Sequence, residues 1–179
     1  MSFVAPALTG HKPEQYAQLA QQLALLFGDE RDFTANMANM AALIFHQLPD
    51  LNWAGFYLMK GGELVLGPFQ GKPACIRIPL GRGVCGTAAV RRETQLVPNV
   101  HAFPGHIACD ADSRSEIVVP LIADGMLVGV LDLDSPKPGR FDEADRAGLE
   151  AAARQLLSAS DLGQSGFRPA GGRCLTSPV

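Results

Sequence analysis

Apolar residues recur at helical spacing in three stretches of this chain and alternate with polar ones between them. Tyr16, Leu19, Ala20, Leu23, Leu26 and Phe27 fall on one stripe, which predicts an amphipathic helix from Pro13 to Phe27, ended by Gly28. Phe33, Met37, Met40, Ile44 and Leu48 share the face of a second helix that starts near Asp32, runs to Gln47 and is stopped by Pro49. Leu149, Ala152, Ala153, Leu156 and Leu157 form the stripe of a last helix, which begins near Asp142 with Asp145 in its first turn.

Between the second and last helices the period shortens. Trp53 to Lys60 is aromatic-rich and short, as a strand should be, and Gly61-Gly62 turns it into a second strand, Glu63 to Phe69. Ala74 to Pro79 reads as a third strand, Val84 to Arg92 as a short helix after the glycines at 81 and 83, and Gln95 to Val97 as a short strand. Two more strands, Glu116 to Ile122 and Met126 to Leu133, are joined by Asp124-Gly125, a strong hairpin signal. His101 to Ser115 is a polar loop long enough to ask for a purpose. Hairpins dominate, so the expectation is an α+β domain whose largely antiparallel sheet carries packed helices. That domain spans 1–160. From Ser158 the chain turns to Ser, Gly and Pro with few large apolar residues, so 161–179 is expected to be a disordered tail, most clearly from Gly163 to Val179.

Composition narrows the class. At roughly 150 residues per domain, 179 residues make one domain with a tail. Hydrophobic residues are 47% and charged ones 18%, which excludes wholesale disorder. The 18 acids against 15 bases give a net charge of -3 with no dense basic patch, which argues against nucleic acid as a partner. No apolar run is long enough to span a bilayer, and Met1 to Gly10 lacks the features of a secretory signal. The expected compartment is therefore the cytosol, where thiols stay reduced. Cys75, Cys85, Cys109 and Cys174 contain no C-x-x-C pair and read as thiols rather than as a disulfide framework.

Several residues invite chemistry. Cys109 sits in the polar loop Phe103 to Asp110, where partial exposure and a nearby His106 favour thiolate. A composite metal site of His101, His106 and Cys109 competes with that reading, and free cysteines are also often small buried hydrophobes. Glu116 opens an apolar strand. It is either a solvated strand end or a carboxyl with a raised pKa that can give a proton. Asp132 and Asp134 alternate with Leu131 and Leu133, so both carboxylates point to one face, with Val128 and Val130 beside them by the same parity. A metal ion such as Mg2+ or a ligand ammonium would relieve their repulsion; the bland alternative is that the strand leaves the core at Asp132. Trp53 and Tyr57 share a strand face and form either core or the wall of a small-ligand pocket.

Three runs carry a resemblance: Asn52 to Tyr57, Leu66 to Cys75, and Gly81 to Ala88. Together with Phe103 to Asp110, Ser113 to Pro120 and Leu131 to Ser135, they make the chain similar to the free methionine-R-sulfoxide reductases, which are single GAF-domain enzymes. The resemblance covers about Tyr16 to Ser158 and leaves Cys174 without a role. It implies that Cys109 is the catalytic cysteine, that Cys75 resolves it, and that Cys85 is a second thiol of the relay. Glu116, Asp132 and Asp134 become substrate-binding carboxylates, with Glu116 also the acid, and Trp53 and Tyr57 the pocket walls. The implied substrate is free L-methionine (R)-sulfoxide, the implied reductant thioredoxin, and the implied assembly a homodimer; no metal or organic cofactor is needed. A non-catalytic GAF domain that senses a cyclic nucleotide or another small ligand, or a redox-sensing interaction protein, is the alternative on the same fold.

Overall fold

The computed structural model describes residues 3–105 and 110–164. Cys109, His106, Cys174 and the residues 165–179 expected as a tail lie outside that description. The elements run α1 (Lys12–Phe27), α2 (Phe33–Gln47), β1 (Trp53–Lys60), β2 (Glu63–Gly71), β3 (Arg77–Pro79), α3 (Gly83–Arg91), β4 (Gln95–Val97), β5 (Ser115–Ala123), β6 (Met126–Ser135) and α4 (Glu143–Ala159). The strands form one sheet in the order β3-β2-β1-β6-β5-β4, antiparallel throughout. The expected α+β architecture holds.

Strand parity divides this sheet into two faces. Ala54, Phe56, Ile117, Val119, Leu131 and Leu133 point to one side, where Leu19, Leu23, Met37, Met40, Ile44, Leu149 and Leu156 of α1, α2 and α4 complete the larger core. Trp53, Tyr57, Val118 and Val130 point to the other, where they meet Val84, Cys85 and Ala88 of α3. The site is on this second face.

Two sequence expectations change. Only Arg77–Pro79 of the expected third strand pairs with β2, while Ala74 and Cys75 lie against the second cluster as irregular chain. Val128 does not share a face with Val130. Leu121 pairs with Gly129 and Ile122 with Leu127, so Val128 is an extra residue in the ladder, and it packs in the larger core.

A polar knot ties α1 to α4. Asp142 caps α4 by accepting from the N–H groups of Ala144 and Asp145, and Asp145 Oδ2 accepts in return from the Asp142 N–H at 2.9 Å. The Asp145 carboxylate is buried but well served: Tyr16 Oη donates at 2.8 Å, Arg140 Nη1 at 3.1 Å and Lys12 Nζ at 2.5 Å. Gly148, one turn on, lies flat against the Tyr16 ring; a Cβ there would come within 2.1 Å of Tyr16 Cγ. Tyr16 cannot swing aside without losing Asp145. Gly148→Ala should therefore overpack the α1–α4 contact and cost about 1–3 kcal/mol, or roughly 2–10 °C in Tm. Thermal unfolding followed by circular dichroism measures it, and an unchanged midpoint would show that the two helices can part freely.

Candidate active site

The pocket is floored by the middle of the sheet, where β1, β6 and β5 lie side by side. Register makes the arrangement inevitable. Asp134 stands opposite Trp53 of β1 and Glu116 of β5, and Asp132 stands opposite Gly55 and Val118. Because side chains two apart share a face, Glu116, Asp132, Asp134, Trp53 and Tyr57 all converge on it. They line one pocket with Cys85, Val84 and Gly83 from the first turn of α3, with Ala74 from the segment before β3 and with Ile78 of β3.

The aromatic side is built in layers. Trp53 stacks between Tyr57, with ring centroids 5.9 Å apart, and Phe69 of β2, at 5.3 Å. Trp53 Nε1 donates to the Lys72 carbonyl at 3.1 Å, which settles its one polar atom. Gly55 lets the indole lie down: a Cβ there would meet Phe69 Cβ at 2.3 Å and Trp53 Cη2 at 2.7 Å.

The acidic side is buried. Glu116 and Asp132 are each 6% exposed, so neither is a solvated strand end, and β6 does not leave the core at Asp132. Cys85 Sγ donates to Asp132 Oδ2 at 3.2 Å and lies 4.0 Å from Glu116 Oε1. Among the described residues, Asp132 Oδ1 has no hydrogen-bond partner. Among the described residues, no ion pair reaches Glu116, Asp132 or Asp134.

Burial then acts on every proton. It raises the carboxyl of Glu116 well above its ordinary value, with Asp132 and Asp134 adding repulsion. Asp134 is raised by burial and by Asp132, against a hydrogen bond from Ser113. Asp132 is pushed up to about 7 by burial, although the Cys85 thiol and the neighbouring Glu116 carboxyl pull the other way. The Cys85 thiol is raised by burial first and then by Asp132 and Glu116, so it holds its proton. The group is thus a set of acids waiting for a cation or for a proton acceptor.

Of the expected site residues, the fold brings together Trp53, Tyr57, Cys85, Glu116, Asp132 and Asp134. Cys75 is half-buried in the segment just before β3 and is disulfide-bonded, whereas Cys85 is free. Sequence reasoning assigned no role to Lys72, Arg82, Asp110 and Ser113, which also line the pocket. Asn52 Nδ2 donates to both Asp110 Oδ2 at 3.1 Å and Ser113 Oγ at 2.9 Å, and Lys72 Nζ pairs with Asp110 at 3.3 Å. Asp110 is held below its usual range, chiefly by the Asp112 N–H and then by Asn52 and Lys72. These contacts fasten the far end of the long loop to β1. Their only signal in the sequence was membership of the runs that carry the family resemblance.

Comparison with known proteins agrees with this geometry. The GAF domain family model matches residues 19–159. The free methionine-R-sulfoxide reductase of Escherichia coli (strain K12) is 53% identical over 82% of this chain and 88% of its own length. The protein of the same name from Saccharomyces cerevisiae is 45% identical over 82% of this chain and 86% of its own. Among solved structures, free methionine-R-sulfoxide reductase from Neisseria meningitidis in complex with its substrate superposes with a TM-score of 0.85. It is 44% identical and covers 88% of this chain and 95% of that one.

Proposed function

Since the chain belongs to the GAF family and, within it, to the free methionine-R-sulfoxide reductases, we propose that its pocket reduces the (R)-sulfoxide of free L-methionine. One observation carries the reading: two buried carboxyls, Glu116 and Asp132, and the part-buried Asp134 share a sheet face with no ion-pair partner among the described residues, under an aromatic wall. A free amino acid supplies what each part lacks. Its ammonium meets Asp134 and Asp132, and its methyl-sulfur end lies along Trp53 and Tyr57. Its carboxylate faces the first turn of α3, whose N–H groups have no partner within the helix.

Glu116 is the acid. A buried carboxyl that keeps its proton near neutral pH can hand it to the sulfoxide oxygen as charge builds there. The thiolate of Cys109 attacks the sulfur, methionine leaves, and Cys109 carries the oxygen away as a sulfenic acid. The Cys75 thiol condenses with it, releasing water and forming a disulfide. Thioredoxin reduces that disulfide by dithiol exchange. That Cys75 is disulfide-bonded supports its resolving role. Cys85 is a second thiol, but burial keeps it protonated, so it serves better as a donor to Asp132 than as an attacking group. A homodimer is part of the same proposal, on the family resemblance alone.

The test is incubation with racemic free methionine sulfoxide and dithiothreitol, followed by chiral chromatography. The (R) form should disappear over many turnovers while the (S) form persists. Loss of only one equivalent per chain would replace the enzyme by a redox sensor. No loss at all would leave a binding domain.

A further inference from the structure

Cys85, Glu116 and Asp132 come from three different elements, yet one donor atom of each lies within 4.8 Å of the other two. The set mixes a thiol with two carboxyls, so it is more than an acidic cluster. The sulfur stands 3.2 Å from Asp132 Oδ2 and 4.0 Å from Glu116 Oε1. In a tetrahedral zinc site, metal–sulfur and metal–oxygen bonds of about 2.3 and 2.1 Å place sulfur and oxygen about 3.6 Å apart. The spacing here brackets that edge before any adjustment. Independently, Asp132 is 6% exposed and its Oδ1 has no partner among the described residues, an acceptor left open on a residue that lines the pocket.

We propose that these three residues form a zinc-binding site inside the pocket, through which zinc competes with the substrate. The donor set selects the metal class. Mg2+ and Ca2+ want six or more oxygen ligands, whereas a thiolate with two carboxylates suits a borderline-soft ion that accepts four. Three protein ligands leave the fourth position to water. On binding, the Cys85 thiol and the Glu116 carboxyl release their protons to solvent, and the sulfur and the carboxylate oxygens donate to the metal; no electron moves. The ion neutralises charge that no basic side chain among the described residues neutralises, and it fills the place where a substrate's polar groups would lie. Binding stands on the donor geometry alone; competition rests on the reductase reading.

Cobalt(II) reports the site, because thiolate coordination gives a charge-transfer absorption that carboxylates alone do not. The full reduced chain, titrated with Co2+ and then with Zn2+, should show one equivalent of this band and its displacement by zinc. Cys109→Ser should keep the band. Cys85→Ala should abolish it, and Asp132→Asn should weaken zinc binding by on the order of a hundredfold. Folding of both variants is checked by thermal unfolding, and either alone decides the case. No band, or one that survives Cys85→Ala but vanishes in Cys109→Ser, overturns the assignment and moves the metal to the His101–Cys109 loop. Added zinc should raise the apparent KM for methionine sulfoxide, reversibly with a chelator; zinc held at Cys85 without that effect overturns the competition. A metal-free chain that binds zinc here yet reduces no sulfoxide leaves the site standing and sinks the reductase reading.

Discussion

Cys109→Ser is expected to abolish turnover of free methionine sulfoxide while the thermal midpoint stays where it is. A hydroxyl at that position lacks both the thiolate and a sulfur able to carry the oxygen away, so no alternative covalent route remains. Loss of a nucleophile of this kind costs at least on the order of a thousandfold in kcat. Cys75→Ser separates attack from recycling. A rapid-quench experiment on that variant should find one equivalent of methionine per chain, followed by arrest with thioredoxin. Full activity in a folded Cys109→Ser protein would end the mechanism. Continued cycling of Cys75→Ser would pass the resolving role to Cys85.

Asp134→Ala should be the most damaging change among the carboxylates that bind rather than protonate. Asp134 faces Trp53 across β1 and Glu116 across β5, and Ser113 offers it a hydrogen bond. A substrate ammonium is its natural counter-charge, and charge-assisted bonds would fix the amino acid in place. Removing one member of a desolvated pair commonly costs about 2–5 kcal/mol, or roughly 30- to 4,000-fold in kcat/KM. N-acetylmethionine sulfoxide, which carries no ammonium, should be a poor substrate for the native chain and should discriminate little between native and variant. Equal use of the free and acetylated forms by the native chain would return Asp134 to a structural role. Thiol labelling at Cys109 should be unaffected by Asp134→Ala, since the substitution touches recognition and not the nucleophile.

Much of this site was legible because β6 alternates. Leu131 and Leu133 against Asp132 and Asp134 announce two faces from four letters, and the helices follow from their stripes with boundaries shifted by a residue or so. The burial of Glu116 was not legible. A carboxylate at the start of a strand looks the same whether solvent or α3 covers it, and only packing decides. The Cys85–Asp132 hydrogen bond was hidden for a related reason: it joins a helix turn to a strand across the second core, and no local period records it. The Asp145 knot escaped too, since Tyr16 and Lys12 lie over a hundred residues upstream and polar residues carry no stripe. Lengthening the third strand back to Ala74 was the ordinary error of extending an apolar run past its last partner; Ala74 lines the pocket instead.

The extra residue at Val128 makes β6 unequal in its tolerance to insertions. Upstream of it the strand already carries one unmatched residue, so a one-residue change in the Asp124-Gly125 hairpin can be taken up there by shifting or erasing the irregularity. Downstream, from Gly129 to Asp134, pairing with β5 and β1 is continuous on both sides, and Ser135 still pairs with β5. A single residue added there would exchange the faces of everything beyond it, thrusting Asp132 and Asp134 among the helices and leaving Leu131 and Leu133 in the pocket. Lineages descended from this chain should therefore vary in length at the hairpin and hardly ever within the last seven residues of the strand, because there a gap would cost chemistry and core in the same event.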